Sequence, residues 1–341
     1  MVFENAMLEK VEFVNRDLIR KILAEYFRDA EKFEFQLIRQ GWENLSYLIR
    51  IGNKKYILRI CNRMQFGTYK RDEENLLFEI EFAQFLKRNS LPIPHIFETI
   101  TGKKLTSITL EGEKYYVVLF EFIKGREINI FNKSKIQNVA RMQAKMHCLA
   151  KNWKPARARF LSGYTSHQDW LKETTEKFKV PQNSEYLSLF KQYRAILNKI
   201  SEKILAQEPK EMPVLLVHAD VHEGNMRFVG DKISGLFDFD DCRMSIIPED
   251  IGMFISIILR TGDLASIKKK AKIYFDEYLK LNKISKAEME LPYYFAVEKW
   301  LVPKFSKLRK QIEVGDVETK KFSFALRQSK QFLKLIRYRV R

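Results

Sequence analysis

The 341-residue sequence predicts an α+β protein of two lobes, β-rich over residues 1–121 and mainly helical over residues 122–341. Three observations carry this reading. Polar and apolar residues alternate, with many Ile, Leu, Tyr and Phe, in residues 33–60 and again in 104–123, as half-buried strands require. After Asn132 nearly every segment spaces its apolar residues three and four apart, the signature of helices with one inward face. One stretch breaks that helical run: "VLLVHAD" and "ISGLFDFDD" are short, apolar and β-rich, and they flank "GNMRFVGDK".

In chain order, residues 8–29 read as an amphipathic helix, and "FEFQLIRQGWENLSYLIRIGNKKYILRI" as a small antiparallel sheet with turns at "GWEN" and "GNKK". Residues 73–89, "EENLLFEIEFAQFLKRN", have helical spacing, and "LPIP" stops them, since proline cannot continue a helix. "KLTSITLEGEKYYVVLFEFI" is a hairpin turning at "EGEK". The helical half reads as 134–153, 183–206, 247–282, 287–300 and 318–338. No repeat or low-complexity linker marks a further boundary.

Apolar residues at 45% and aromatics at 13% suffice for a sizeable core and exclude a disordered chain. No apolar run approaches the roughly 18 residues of a membrane span, and the charged N-terminus is unlike a signal peptide; a cytoplasmic protein is expected. Cys61, Cys148 and Cys242 are far apart with no CxxC spacing, so neither zinc site nor disulfide framework is indicated. The net charge of +18 suits an anionic partner without choosing between nucleotide, nucleic acid and membrane surface. "SIKKKAKIYF" and "KQFLKLIRYRVR" read as solvated helix faces.

The chemistry concentrates in "VHADVHEGNMRFVGDKISGLFDFDDCR", Val217–Arg243, with six carboxylates around two histidines and an asparagine. Carboxylates repel, and a bound cation is the simplest reason to gather them. Phosphoryl transfer needs a base for the attacking hydroxyl, metal on the phosphates and cationic or backbone donors. His218, Asp220, Asn225 and Asp238 fall in the order of such a loop, and the interval from Asp220 to Asn225 matches it, with Asp220 as base and Asn225 and Asp238 on magnesium. Magnesium keeps several of its waters, so few protein ligands suffice.

"HADVHEGN", "LFDFDDC" and "IIPEDIG" together resemble the signature of the aminoglycoside phosphotransferase and choline kinase superfamily, small-molecule kinases with a protein-kinase-like fold. The resemblance is specific in residues 217–252 and follows element order elsewhere. It implies ATP, with GTP as alternative, and Mg2+ as cofactors. It implies Asp220, His218 and His222 as the catalytic group and Asn225, Asp238 and Asp240 at the metal. Asn44 and Ser46, beside "GWEN", fall where the family covers the phosphates. Arg59 in "KYILRI" stands where relatives carry the phosphate-binding lysine, with Glu79, or else Glu81, as its partner. Backbone groups of Glu121 to Ile123 in "LFEFIKG" fall at the adenine-binding hinge, Asp250 would anchor loops, and His147 matches a packed helix position. Two residues depart from the pattern: Ala219 replaces a glycine, tolerable if φ is negative, and Ile247 replaces the glycine before Pro248, where a local loop difference is expected.

Fold does not fix the acceptor. The expected acceptor is a small hydroxyl compound, recognised by residues 156–182 and the helices after Leu281. The basic or mixed charge of those segments disfavours a polycationic aminoglycoside. The alternatives are a protein Ser/Thr kinase on the same fold and a non-catalytic module binding nucleotide, or nucleic acid through the basic C-terminal helix.

Overall fold

The computed structural model describes residues 8–38, 44–62, 64–65, 69–128, 131–155, 186–207, 212–260, 263–285, 288–314 and 317–337. "GWE", the whole of the predicted acceptor segment 156–182 and the last four residues lie outside them. The chain forms two compact units. One comprises Met1–Arg126, Lys154–Phe160 and Ser234–Asp240, and the other Glu127–Trp153, Leu161–Ile233 and Asp241–Arg341. Among the described residues no helix is long and apolar enough to cross a membrane.

In the first unit a 3-10 turn, Leu8–Phe13, precedes helix α1, Arg16–Tyr26. The single helix expected over 8–29 is broken because Asn15 caps α1, its side chain accepting from the Leu18 N–H. Strands β1 (Glu34–Ile38), β2 (Leu45–Ile51) and β3 (Lys54–Ile60) form the predicted meander. After the short β4 (Met64–Gln65) and β5 (Tyr69–Lys70) comes α2, Glu73–Arg88, capped by Asp72. Its Glu73 and Glu74 sit in the first turn and Lys87 and Arg88 in the last, favourably for the helix dipole. β6 (Ile96–Phe97) and the hairpin β7 (Thr106–Leu110) and β8 (Glu113–Glu121) complete one sheet, ordered β1-β2-β3-β8-β6 with β7 on β8. The inward residues Leu45, Tyr47, Ile49, Tyr56, Leu58, Ile60, Val117 and Leu119 share a core with Ile19, Ile22 and Leu23 of α1.

In the second unit α3 (Lys133–Ala150) and α4 (Leu187–Gln207) precede β9 (Val214–Val217). β10 (Met226–Val229) is followed by β11 (Lys232–Leu236), whose residues from Ser234 belong to the first unit, and back in the second unit β12 (Arg243–Ile246) leads to α5 (Ile247–Leu259). The helix expected over 247–282 is two, because Asp263 caps a new one, α6 (Leu264–Tyr278), through the Ala265 and Ser266 N–H groups. Helix α7, Leu291–Val314, runs beyond the predicted 300 and through Pro303, because Leu301, Val302, Phe305 and Leu308 continue its buried face. α8 is Thr319–Arg337, buried through Phe322, Ala325, Leu326 and Phe332. Gly252 lets α5 and α7 approach closely, since a Cβ there would lie 2.4 Å from that of Phe295.

β9 pairs antiparallel with β12, and one loop expectation changes. Ile247 is no loop residue but the buried first residue of α5, whose opening turn contains Pro248, where proline's missing N–H costs nothing.

Candidate active site

In the second unit the loop after β9 holds Asp220 from several sides. Asn225, buried at the end of the 3-10 turn Glu223–Asn225, donates its amide N–H groups to the Asp220 backbone carbonyl at 3.0 Å and to Oδ2 at 2.8 Å. His222 places Nε2 3.3 Å from the same Oδ2, while its Nδ1 accepts from the Gly224 N–H at 3.0 Å. Burial opposes ionisation of Asp220, but His222, His218 and Lys299 outweigh it and hold the carboxyl below its ordinary range. Burial likewise disfavours charge on His222, and the carboxylates of Asp220 and Glu223 overcome it, raising its pKa. His218 is fully buried, with Nδ1 3.3 Å from the Asp220 N–H. It therefore meets the catalytic loop from its buried side.

The loop is pinned from below. Asp250 Oδ1 accepts from the Ala219 N–H at 2.5 Å, and Oδ2 meets His147 Nε2 and Gln143 Nε2, both at 2.9 Å. His147 Nδ1 lies 2.7 Å from the Tyr278 hydroxyl, which accepts from Asn282, and Tyr274 donates to Gln143. All of these residues are buried. Burial disfavours charge on Asp250, but hydrogen bonding and charge from His147, with His218 and Gln143, keep its pKa low. The expected anchor is therefore present, and His147, read as a packing residue, is part of it.

Ala219 has φ +65°, so the condition set for replacing the family glycine is not met. Left-handed backbone costs a non-glycine residue about 1–2 kcal/mol. Restoring glycine relieves this but adds about 0.5–1 kcal/mol of backbone entropy and exposes a methyl's worth of core, about 0.8 kcal/mol. Ala219→Gly should therefore change the unfolding free energy by under about 1 kcal/mol in urea titration, whereas Ala219→Val, β-branched at positive φ, should cost more than about 2 kcal/mol.

In the first unit the acidic strand end gathers a compact ion cluster. Arg59 Nη1 lies 3.1 Å from Asp238 Oδ1 and 3.0 Å from Asp240 Oδ1. Arg71, which the sequence reading passed over, forks onto Asp240 with Nη1 to Oδ2 and Nη2 to Oδ1, both at 3.0 Å. Its Nη2 also donates to Glu79 Oε2 at 2.9 Å. The expected Arg59–Glu79 pair is thus replaced: Glu79 takes Arg71, Arg59 turns to the aspartates, and Glu81 faces Lys104. Arg71 precedes the cap Asp72 of α2 and lies outside the helix that carries Glu79, so no helical spacing in the sequence marks the pair. Burial disfavours charge on both arginines, but the neighbouring carboxylates raise their pKa values above the ordinary one. Beneath them burial pushes the Cys61 thiol up to about 12.

The other predicted nucleotide residues divide. Asn44 is drawn into the cluster, donating to Asp240 Oδ2 at 2.5 Å and accepting from the Asn62 N–H and Arg71 Nη1. It braces the cluster through one amide N–H and its carbonyl oxygen. Ser46 lies on β2 opposite Arg59. The Glu121 N–H donates to the His95 carbonyl and its carboxylate accepts from the His95 N–H, so its amide is not offered to adenine. Ile123 lies over Gly235, where a Cβ would come within 2.6 Å of it, and the Leu236 N–H bonds to Pro92 O. Asp238 has φ +68°, the left-handed conformation that Asp tolerates better than most residues.

Residues 34–281 match the phosphotransferase enzyme family. An amicoumacin kinase of Bacillus subtilis is 24% identical over 220 residues, 64% of this chain and 61% of that protein. A homoserine kinase of Agrobacterium fabrum is 24% identical over 281 residues, 81% of this chain and 80% of its own. The chain thus spans less than two thirds of the first relative. Among solved structures, an amicoumacin kinase in complex with AMP-PNP, Ca2+ and Ami has a TM-score of 0.72 at 17% identity, covering 95% of both chains. That likeness establishes a kinase-like α+β fold, and with the family match over most of its length the chain belongs to the phosphotransferase enzyme family.

Proposed function

We propose that the protein is an ATP- and magnesium-dependent phosphotransferase that moves the γ-phosphoryl group to a hydroxyl of a small molecule, an amino alcohol, amino sugar or similar compound. The observation that carries this reading is Asp220, kept ionised and aimed by His222 and Asn225 on a loop pinned to Asp250. Such a carboxylate accepts the proton of an attacking hydroxyl. The named activities of the amicoumacin and homoserine kinases support the same class.

The residues fit magnesium by donor chemistry. Asp238 offers a carboxylate whose side chain is 34% exposed, and Asn225 spends its amide nitrogen on Asp220, leaving the oxygen as its acceptor. Magnesium usually keeps several of its waters, so few protein donors suffice. Magnesium would neutralise phosphate charge. Arg59 would grip phosphate, and backbone groups at Ile123 would meet the base of ATP, or of GTP. The unbridged Cys61, Cys148 and Cys242 suit a reducing compartment, and we place the activity in the cytoplasm.

The direct test is ADP release with ATP or GTP and magnesium over a panel of homoserine, 3-aminopropanol, ethanolamine and aminoglycosides. Acceptor-dependent release, abolished by EDTA, is expected. Nucleotide binding with no transfer to any member would count against a small-molecule acceptor of these classes. Turnover should also rise with pH through the raised pKa of His222, because a neutral imidazole leaves Asp220 more basic than an imidazolium does. His222→Gln should remove that limb of the pH–rate profile, and an unchanged limb would exclude His222 as its origin.

A further inference from the structure

We propose that Arg71 is a positioning residue of the nucleotide site, which withdraws Asp240 from metal binding and leaves Arg59 and Asp238 as the pair presented to a magnesium nucleotide. The inference rests on the phosphotransferase reading and adds to it a division of labour within the cluster.

Four donors reach Asp240: Arg59 Nη1 and Arg71 Nη2 on Oδ1, and Asn44 Nδ2 and Arg71 Nη1 on Oδ2. A carboxylate has about four lone-pair sites. Asp240 is therefore saturated by protein, although the sequence placed it among the metal ligands. Exposure follows the same division: the Arg71 side chain is 1% exposed and Asp240 10%, against 14% for Arg59 and 34% for Asp238. Charge explains why a second arginine is needed. Asp238, Asp240 and Glu79 would otherwise compete for Arg59 alone. Arg71 neutralises Glu79 and shares Asp240, so the charge left over sits at Asp238, the exposed pole. Lysine, a point charge, cannot reproduce the fork that spans both oxygens of Asp240 while bonding Glu79 and Asn44.

The test is calorimetric binding of ATP to the full-length protein, at fixed magnesium and as a function of magnesium. Arg71→Lys keeps the charge and should fold, yet weaken the Mg·ATP dissociation constant about ten-fold. In an Arg59→Gln background the same change should shift it less than two-fold, because the route through Arg59 is gone; a purely structural role would lower thermal stability in both backgrounds without this dependence. Asp238→Asn should raise the magnesium needed for half-maximal binding at least ten-fold and Asp240→Asn at most three-fold, a comparison that stands even if Arg71→Lys fails to fold. Wild-type-like affinity in Arg71→Lys, or equal magnesium shifts in the two aspartate variants, overturns the inference. Absence of Mg·ATP binding by the wild type overturns the phosphotransferase reading, and this inference with it.

Discussion

Asp220→Asn is expected to lower phosphoryl-transfer turnover by about 10²–10⁴-fold, the range that a positioned general base contributes, while the protein stays folded and still binds Mg·ATP. An amide is nearly isosteric with the carboxylate, so the contacts with Asn225 and His222 can be kept in altered form. It cannot take the acceptor proton. Because phosphoryl transfer has a loose transition state, nucleotide binding by phosphate and metal contacts should persist. Single-turnover kinetics beside a binding isotherm separate the two effects. Turnover near wild type would remove Asp220 as base, and a parallel loss of nucleotide affinity would assign it to binding.

Asp250→Ala is expected to cost about 3–5 kcal/mol, the usual result of removing one partner from a buried, hydrogen-bonded charged set. It strips acceptors from the Ala219 N–H, His147 and Gln143, all buried. Against a typical stability of about 5–15 kcal/mol this is a large fraction, and the Asp220 loop loses its anchor too. Asp250→Asn retains one acceptor oxygen and should cost less. The pH dependence follows from the lowered pKa of Asp250. Its stabilisation is present above the unfolded carboxyl value and is lost as pH falls through the lower folded value. The wild type's advantage over Asp250→Asn in urea titrations should therefore shrink toward acid pH. An advantage constant from neutrality to acid would show that the Asp250 charge is not what is stabilised.

The alternation in β2, β3 and β8 and the acidic loop were legible in the sequence because local periodicity and spacing encode them. Arg71 was not. Its partners Asp240 and Asn44 lie 169 and 27 residues away, and a lone arginine before a helix cap looks like any solvated charge. The positive φ of Ala219 was equally hidden, since alanine carries no mark of left-handed backbone. The partner of β9 was not legible either, because β9 and β12 are short and periodicity does not name a partner. His147 shows the same limit: a histidine among apolar helix residues reads as core, and only the fold shows that both ring nitrogens are engaged.

The central claim is tested most directly by a thermal-shift titration with ATP, with magnesium or with EDTA, on the wild type and on Asp238→Ala. A ligand at about 100 times its Kd stabilises by roughly 2.7 kcal/mol, a shift of several degrees. A magnesium-dependent rise in Tm in the wild type that is lost in Asp238→Ala is the predicted result; no rise, or one that survives both EDTA and the substitution, would contradict it.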